Sequence, residues 1–232
     1  MKKIGIIVAM DKEFAQLRQL LSESHSERHH SKEFVIGEMG GAQIVMQQCG
    51  IGKVNSAVGA VEMIDRYHPD VVISTGCAGG ADTSLNPLDV VVASECVYHD
   101  VYCGDNAAFG QVLGMPARYA APKDLIDKAL SIAMSEGHQI KSGLTVSGDW
   151  FVDTKDKMRA ILDRFPEATA VDMESCSIAQ VCHIYDTPFV SFRVISDVPL
   201  KDTKASQYFD FWDKVSEDSF EVTRSFLQKI IQ

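Results

Sequence analysis

Acidic residues follow three apolar stretches of this 232-residue sequence. Glu13 comes shortly after the run 4–10, Asp172 and Glu174 surround a methionine after "ATAV", and Asp197 follows "FVSFRVIS". Two separated carboxylates, one acting as an acid and one as a base, commonly hydrolyse glycosidic bonds. The chain has no GxSxG or HExxH motif, so neither that serine nucleophile nor that zinc site is indicated.

The acid after the last apolar run has two interpretations. A carboxylate at the end of a strongly apolar strand is partly desolvated, which predicts a raised pKa and a general-acid role for Asp197. A turn or helix cap is the alternative. Glu13 has a similar alternative, because the helix dipole favours acids in the first turn. The catalytic interpretation is favoured because acids from several strand ends can converge on one cleft.

Three further segments at predicted strand ends suit a ligand with a sugar and a flat ring. The glycines of "TGCAGG" (75–80) expose backbone N–H groups that bind anions or sugar hydroxyls, or else form a tight turn. "CGIGK" (49–53) allows a tight turn or close approach to a ligand, and it lacks the spacing of an NTPase phosphate loop. The Trp-Phe pair of "SGDWFV" (147–152) either joins the core or stacks on a base.

Apolar periodicity places these segments on an α/β fold. Continuous apolar runs predict strands at 3–9, 33–39, 42–49, 70–76, 89–95, 142–149, 168–171 and 188–196. Helical spacing predicts stripes at Phe14, Leu17, Leu20 and Leu21; Val54, Ala57, Val58, Val61 and Ile64; Leu125, Ala129 and Ile132; Ile178, Val181, Cys182 and Tyr185; and Val215, Val222, Phe226 and Ile230. Strands and helices interleave, which indicates helices on both faces of one sheet, with ligands beyond the strands' carboxyl ends.

Two local patterns refine this prediction. Gly40 and Gly41 separate two strand-like runs, which predicts a β-hairpin and therefore a mixed sheet. We interpret "SHSERHH" (24–30) as a solvated turn or loop, because two adjacent imidazoles without regularly spaced acid or thiol ligands are weak support for a metal site.

The composition excludes several classes of protein. The net charge is −10 and no basic run exists, which argues against a nucleic-acid partner. The 46% hydrophobic and 23% charged content fits a single α/β domain over residues 1–232. Six cysteines without a CxxC pair indicate reduced thiols and a cytoplasmic location. The short apolar N-terminal run has no cleavage site after it, and no run is long enough to span a membrane, so we expect neither a secretory leader nor membrane association.

The motifs "IGIIVAMDKEF", "GIGKVNSA", "STGCAGG", "VSGDWFV", "VDMES" and "RVISDV" occur in this order through essentially the whole chain. Together they resemble the bacterial 5′-methylthioadenosine/S-adenosylhomocysteine nucleosidases of the purine nucleoside phosphorylase/uridine phosphorylase superfamily. The resemblance implies one α/β domain whose mixed sheet closes partly as a barrel, usually assembled as a homodimer. It also implies cleavage of the N-glycosidic bond between adenine and a 5′-thio-substituted ribose in methionine salvage, without metal or cofactor.

The resemblance implies roles for the matching residues. Asp197 would protonate adenine at N7, Glu13 would activate water, and Glu174 would bind ribose hydroxyls. The other implied site residues are Arg193, holding the water and nearby acids; Met173, against the sugar; Phe151 and Val152, at adenine; Ile51 and Tyr208, at the 5′ substituent; Cys77, Ala78 and Gly79, under the ribose and water; and Met10, Asp172 and Ser196, also at the substrate. Adenine leaves poorly until it is protonated, so an acid is required.

Three departures from the family pattern keep alternatives open. Cys77 stands where serine is common, and a thiol is the weaker hydrogen-bond donor. Asp172 stands where glutamate is common. Segment 99–116 differs most from the family pattern, and this difference keeps an aminofutalosine or futalosine hydrolase open as an alternative. A phosphate-dependent phosphorylase is disfavoured because Asp11 and Glu13, rather than an arginine, follow the first strand. A catalytically silent nucleoside-binding domain would be expected to lack one of the acids.

Overall fold

The computed structural model describes residues 1–135, 137–201, 206–214 and 221–232, which form interleaved strands and helices. The strands are β1 (Lys3–Val8), β2 (Ser22–His29), β3 (Lys32–Met39), β4 (Ala42–Gln48), β5 (Val71–Gly80), β6 (Val90–Tyr98), β7 (Tyr119–Ala120), β8 (Ile140–Ser147), β9 (Ala168–Asp172) and β10 (Phe189–Asp197). The helices are α1 (Asp11–Arg18), α2 (Lys53–Tyr67), α3 (Lys123–Leu130), α4 (Lys155–Leu162), α5 (Ser175–Ile184), α6 (Ser206–Lys214) and α7 (Glu221–Ile231). None of the helices in these ranges combines the length and apolar character that crossing a membrane requires.

Part of the sheet closes on itself. Five strands form a ring in the order β10–β6–β8–β9–β5, because β10 pairs with β5 as well as with β6. Strands β1, β4, β3 and β2 continue outward from β5, and the short β7 pairs with β6. Parallel pairs such as β1–β5 occur beside antiparallel pairs such as β3–β4. The prediction of a mixed sheet partly closed as a barrel is confirmed.

The apolar strands form the core because helices cover them. Val190 and Phe192 of β10 are shielded from solvent, as is Ile73 of the neighbouring β5. Phe226 of α7 stacks on Phe192 with the ring centroids 4.4 Å apart. Burying such large apolar rings stabilises the fold and fixes α7 against the sheet.

Most predicted elements are confirmed. Every predicted strand run coincides with a strand, and the hairpin at Gly40 and Gly41 joins β3 to β4. Both glycines have positive φ, which a tight hairpin turn requires. Three elements had no sequence prediction, namely β7, α4 and α6. Val215, predicted to belong to the C-terminal apolar stripe, lies outside the described residues.

One local prediction is wrong, and another holds only in part. The segment 24–30, predicted as a turn or loop, lies mostly in β2, an exposed edge strand that the backbone of β3 holds in place. The stripe predicted on α2 faces the core only in part: Ile64 is buried and Ala57 and Val61 pack against the core, whereas Val54 and Val58 are 76% and 45% exposed. The core face of α2 also includes Gly59, where a Cβ atom would lie 2.8 Å from that of Cys49. Close packing against β4 therefore requires glycine.

The carboxyl ends of several strands meet at one edge of the sheet. β1 is parallel to β4 and β5, and β5 is parallel to β10, so these strands end on the same side. A bulge at Ser196 shifts the pairing of β10 with β5 just before the strand ends at Asp197. Bulges re-aim the side chains beside them, and here both Ser196 and Asp197 reach the same cleft.

Candidate active site

A cleft of about 670 Å³, including its open mouth, lies at the carboxyl ends of β1, β5, β8, β9 and β10. Every site residue predicted from the sequence lines this cleft except Arg193. The predicted residues in its wall are Met10, Glu13, Ile51, Cys77, Ala78, Gly79, Phe151, Val152, Asp172, Met173, Glu174, Ser196, Asp197 and Tyr208.

Backbone N–H groups hold the carboxylate of Glu13. This residue lies in the first turn of α1, and its Oε2 accepts hydrogen bonds from the N–H groups of Ala9 (3.2 Å) and Met10 (3.0 Å). Its Oε1 accepts a third from the N–H of Cys77, at 2.9 Å. Burial raises the pKa of the Glu13 carboxyl, whereas Arg193 and the backbone donors act to lower it. A raised pKa makes a carboxylate a better base near neutral pH.

Glycine at position 76 makes room for this carboxylate. Gly76 has φ of 133°, and a Cβ atom there would lie 2.7 Å from Cδ of Glu13 and 2.9 Å from Nη1 of Arg193. Side chains are excluded at this position both by the backbone conformation and by these two charged groups.

Arg193 lies behind the acids rather than in the cleft wall, and it is only 1% exposed. Its Nε lies 2.9 Å from Oδ2 of Asp172, its Nη1 donates to the carbonyl of Thr75 at 2.9 Å, and its Nη2 donates to Oγ of Ser74 at 2.7 Å. Burial alone would lower the pKa of the guanidinium, but the nearby carboxylates, led by Asp172, outweigh it and raise the pKa. All three nitrogens are therefore occupied in holding the site together.

Asp172 organises the junction between β9 and α5. Its Oδ1 accepts from the hydroxyl of Ser147 at 2.5 Å and from the N–H groups of Glu174 (3.4 Å) and Ser175 (3.2 Å). The two N–H donors lie at the start of α5, so the carboxylate occupies a favourable place at a helix N-terminus. The strand-to-helix junction predicted around Met173 is confirmed.

Glu174 faces the cleft from the residue before α5. Its Oε1 accepts from the N–H of Gly52 at 2.9 Å, and its Oε2 lies 3.8 Å from Nη2 of Arg193. Burial raises the pKa of the Glu174 carboxyl from 4.5 to about 7; the charge of Arg193 opposes this rise and that of Asp172 adds to it. Three buried carboxylates share one guanidinium, and this imbalance favours retention of a proton.

Asp197 and an aromatic pair form another part of the cleft wall. The side chain of Asp197 is nearly buried, and its Oδ1 accepts from the hydroxyl of Ser196 at 2.5 Å. The rings of Phe151 and Tyr208 meet edge to face, with centroids 5.1 Å apart. The cleft therefore combines a carboxyl group with a surface on which a flat ring can stack.

Cys77 contributes to the site through its backbone. The N–H that holds Glu13 is independent of side-chain type, so the substitution of thiol for hydroxyl leaves this contact intact. Burial and the nearby Glu13 raise the pKa of the Cys77 thiol, so it stays protonated at neutral pH.

Several groups that complete the site had no role in the sequence-based prediction. Ala9 and Val171 line the cleft, and Ser74 and Thr75 hold Arg193 from β5. The glycine at position 52 was predicted only to allow a tight turn or a ligand contact, and its N–H instead binds Glu174. No three His, Cys, Asp or Glu side chains among the described residues are arranged to hold a metal ion.

Glu174→Gln should reduce the dependence of stability on pH. The raised pKa means that, as pH increases from 4.5 to about 7, the unfolded chain loses this proton while the folded protein keeps it. The free energy of unfolding of the wild type should therefore fall over this window, and an uncharged amide removes that contribution. Urea unfolding at both ends of the window measures the change, with the exposed Glu38→Gln as control. Equal pH dependence in wild type and Glu174→Gln would contradict the prediction.

Comparisons with known proteins agree with this geometry. The family model described as "Phosphorylase superfamily" matches residues 3–232. The 5′-methylthioadenosine/S-adenosylhomocysteine nucleosidase of Anoxybacillus flavithermus (strain DSM 21510 / WK1) is 39% identical over 229 residues, which cover 98% of each chain.

The solved structures similar to this chain include a nucleosidase of the same name. A nucleosidase of this name from Colwellia psychrerythraea 34H, in complex with adenine, superposes with a TM-score of 0.91 at 34% identity, covering 98% of this chain and 95% of that one. The futalosine hydrolase of Helicobacter pylori strain 26695 superposes with a TM-score of 0.89 at 27% identity, and the match covers 98% of each chain. The nearly full-length match at 39% identity, joined to the fold and the acid-lined cleft, shows that the chain belongs to the 5′-methylthioadenosine/S-adenosylhomocysteine nucleosidases of the phosphorylase superfamily.

Proposed function

We propose that the protein hydrolyses the N-glycosidic bond of 5′-methylthioadenosine and S-adenosylhomocysteine, releasing adenine and the 5′-thio-substituted ribose. One observation supports water rather than phosphate as the nucleophile. Four carboxylates line the cleft, and no lysine or arginine is present among the described lining residues. Phosphate binding requires cationic donors, and Arg193 has its nitrogens occupied behind the acids.

Asp197 is proposed as the general acid. The hydroxyl of Ser196 fixes its carboxyl group at the end of β10, within a wall that also includes Phe151. A purine stacked on Phe151 would present its edge to Asp197, and protonation at N7 makes adenine a better leaving group. The adenine bound in the similar Colwellia psychrerythraea structure supports this choice of leaving group.

Glu13 is proposed to position and activate the attacking water. Three backbone donors orient its carboxylate, and burial raises its pKa toward the range of an effective base. Departure of adenine leaves a sugar with oxocarbenium character, which nearby carboxylates stabilise electrostatically. Glu174 is assigned to the ribose hydroxyls and Met173 to the sugar face. Arg193 acts through Asp172 and Glu174 as a positioning residue.

The decisive experiment is product analysis of the purified protein with and without phosphate. We expect adenine and free 5′-methylthioribose from 5′-methylthioadenosine, at a rate that phosphate does not change. A strict phosphate requirement would identify a phosphorylase instead. Aminofutalosine and futalosine belong in the same panel, because the similarity to the Helicobacter pylori futalosine hydrolase makes that activity the second candidate. Faster turnover of either compound than of methylthioadenosine would favour the second candidate.

Glu13→Gln and Asp197→Asn should each lower kcat by about 10²- to 10⁴-fold, the typical contribution of one general acid or base. Both variants keep the shape of the side chain, so their melting temperatures should stay near that of the wild type. The matched control is Asp156→Asn, since Asp156 pairs with Arg159 on the surface. Wild-type turnover in both acid variants would refute the mechanism and would favour other catalytic groups.

We also propose that the protein forms a homodimer through an apolar surface beside the cleft. Val54 and Val58 lie one turn apart on α2, Ile51 lies two residues before this helix, and all three are exposed. Ile51 also lines the cleft, so a second copy on this surface would lie at the cleft mouth. Light scattering should give twice the 25.5 kDa chain mass, and Val54→Glu should yield the monomer whereas the exposed Ile184→Glu should not. A monomeric wild type would contradict this proposal.

A cytoplasmic location and a role in methionine salvage complete the proposal. All six cysteines are free thiols, and four of them are buried. Reduced thiols are typical of cytosolic proteins, and the proposed substrates carry the sulfur that such salvage recovers.

A further inference from the structure

We propose that Lys53, Asp100 and Asp149 form an ion-pair clamp that positions the base-binding segment 148–152 against the start of α2. The inference rests on the proposed function, because it assigns Phe151 and Val152 of this segment to adenine. None of the three clamp residues lines the cleft. They are therefore positioning residues, and they act on groups that do face the substrate.

The clamp joins three separate parts of the chain. Both carboxylate oxygens of Asp100, just after β6, accept from Nζ of Lys53 at 2.9 and 2.8 Å. Asp100 also accepts from the N–H of Asp149 at 2.9 Å. Asp149, just after β8, accepts in turn from the N–H of Lys53 at 2.8 Å. These contacts close a triangle between the ends of β6 and β8 and the first residue of α2.

The start of α2 connects this triangle to the proposed ribose site. Gly52 and Lys53 present consecutive N–H groups at the start of the helix. The first donates to Glu174, and the second donates to Asp149. One helix terminus therefore sets the separation between the proposed ribose acid and the segment that carries the proposed stacking ring, Phe151.

The local chemistry favours this arrangement. Gly52, at the N-cap position, has no side chain to cap the helix, so a carboxylate from another segment satisfies a free N–H there. Gly52 has φ of 93°, and a Cβ atom at this position would lie 2.9 Å from Oδ1 of Asp149. The ammonium of Lys53 also lies 5.5 Å from the centroid of the Tyr98 ring, an attractive contact for a cation.

The clamp should affect binding more than chemistry. It touches neither Glu13 nor Asp197, and it fixes the segment proposed to bind the base. Loss of the clamp should therefore raise KM and weaken adenine binding, while the acid and base keep most of their effect on kcat.

The test compares Asp149→Ala with Asp149→Asn. Removing a hydrogen bond of this kind typically weakens an interaction by about tenfold, so Asp149→Ala should raise both KM for 5′-methylthioadenosine and Kd for adenine about tenfold. Its kcat should change less, and its melting temperature should match that of the wild type. Asp149→Asn should restore most of the affinity, since its amide oxygen can still accept from the N–H of Lys53. The control is Asp127→Ala, because Asp127 pairs with Lys123 on exposed α3.

Each outcome decides between distinct conclusions. If the wild type cleaves methylthioadenosine and Asp149→Ala keeps its KM and adenine Kd, the clamp is refuted and the proposed function stands. A lower melting temperature with unchanged KM indicates a structural role only and also refutes the clamp. If the wild type neither cleaves methylthioadenosine nor binds adenine, the proposed function fails and the clamp fails with it.

Discussion

The buried charge of Arg193 is the constraint on which the candidate site depends. Removing a guanidinium from water is costly unless its donors are satisfied, and here carboxylate, hydroxyl and carbonyl acceptors surround it. Because Arg193 carries one positive charge against the charges of Asp172, Glu174 and Glu13, the site remains short of positive charge. Burial is the main cause of the raised pKa values of Glu13 and Glu174; the charge of Asp172 adds to the rise at Glu174, and Arg193 opposes the rise at both. One buried cation therefore both stabilises the acids and leaves them able to take up a proton.

Much of the fold could be predicted because most of its strands, unlike β2, are largely buried. Continuous runs of Val and Ile identify such strands without further information, and positive φ at Gly40 and Gly41 matches the predicted hairpin. The acids at strand ends could be predicted for a related reason. Polar groups immediately after buried strands lie at the edge where ligands bind, and the cleft includes Glu13, Asp172, Glu174 and Asp197.

The remaining features depend on contacts that one stretch of sequence does not encode. β2 has polar side chains throughout, and its pairing with β3 stabilises it rather than burial of an apolar face. The stripe predicted on α2 includes the buried Ile64, but it also includes Val54 and Val58, which are exposed, and it omits Gly59, which close packing selects. The hydrogen bond from Gly52 to Glu174 joins residues 122 positions apart. Strand pairing in the order β9–β5–β1–β4 brings such distant residues to the same edge of the sheet, so local spacing carries no signal for them.

The attachment of Glu13 to main-chain donors separates the chemistry of the site from its selectivity. The N–H groups of Ala9, Met10 and Cys77 are present whatever side chains these positions carry. Those same three positions line the cleft, so substitutions there can reshape the pocket while the carboxylate keeps its anchor. Substitutions at Ala9, Met10 and Cys77 can therefore change which ligands the cleft accepts, with little effect on the orientation of the Glu13 carboxylate.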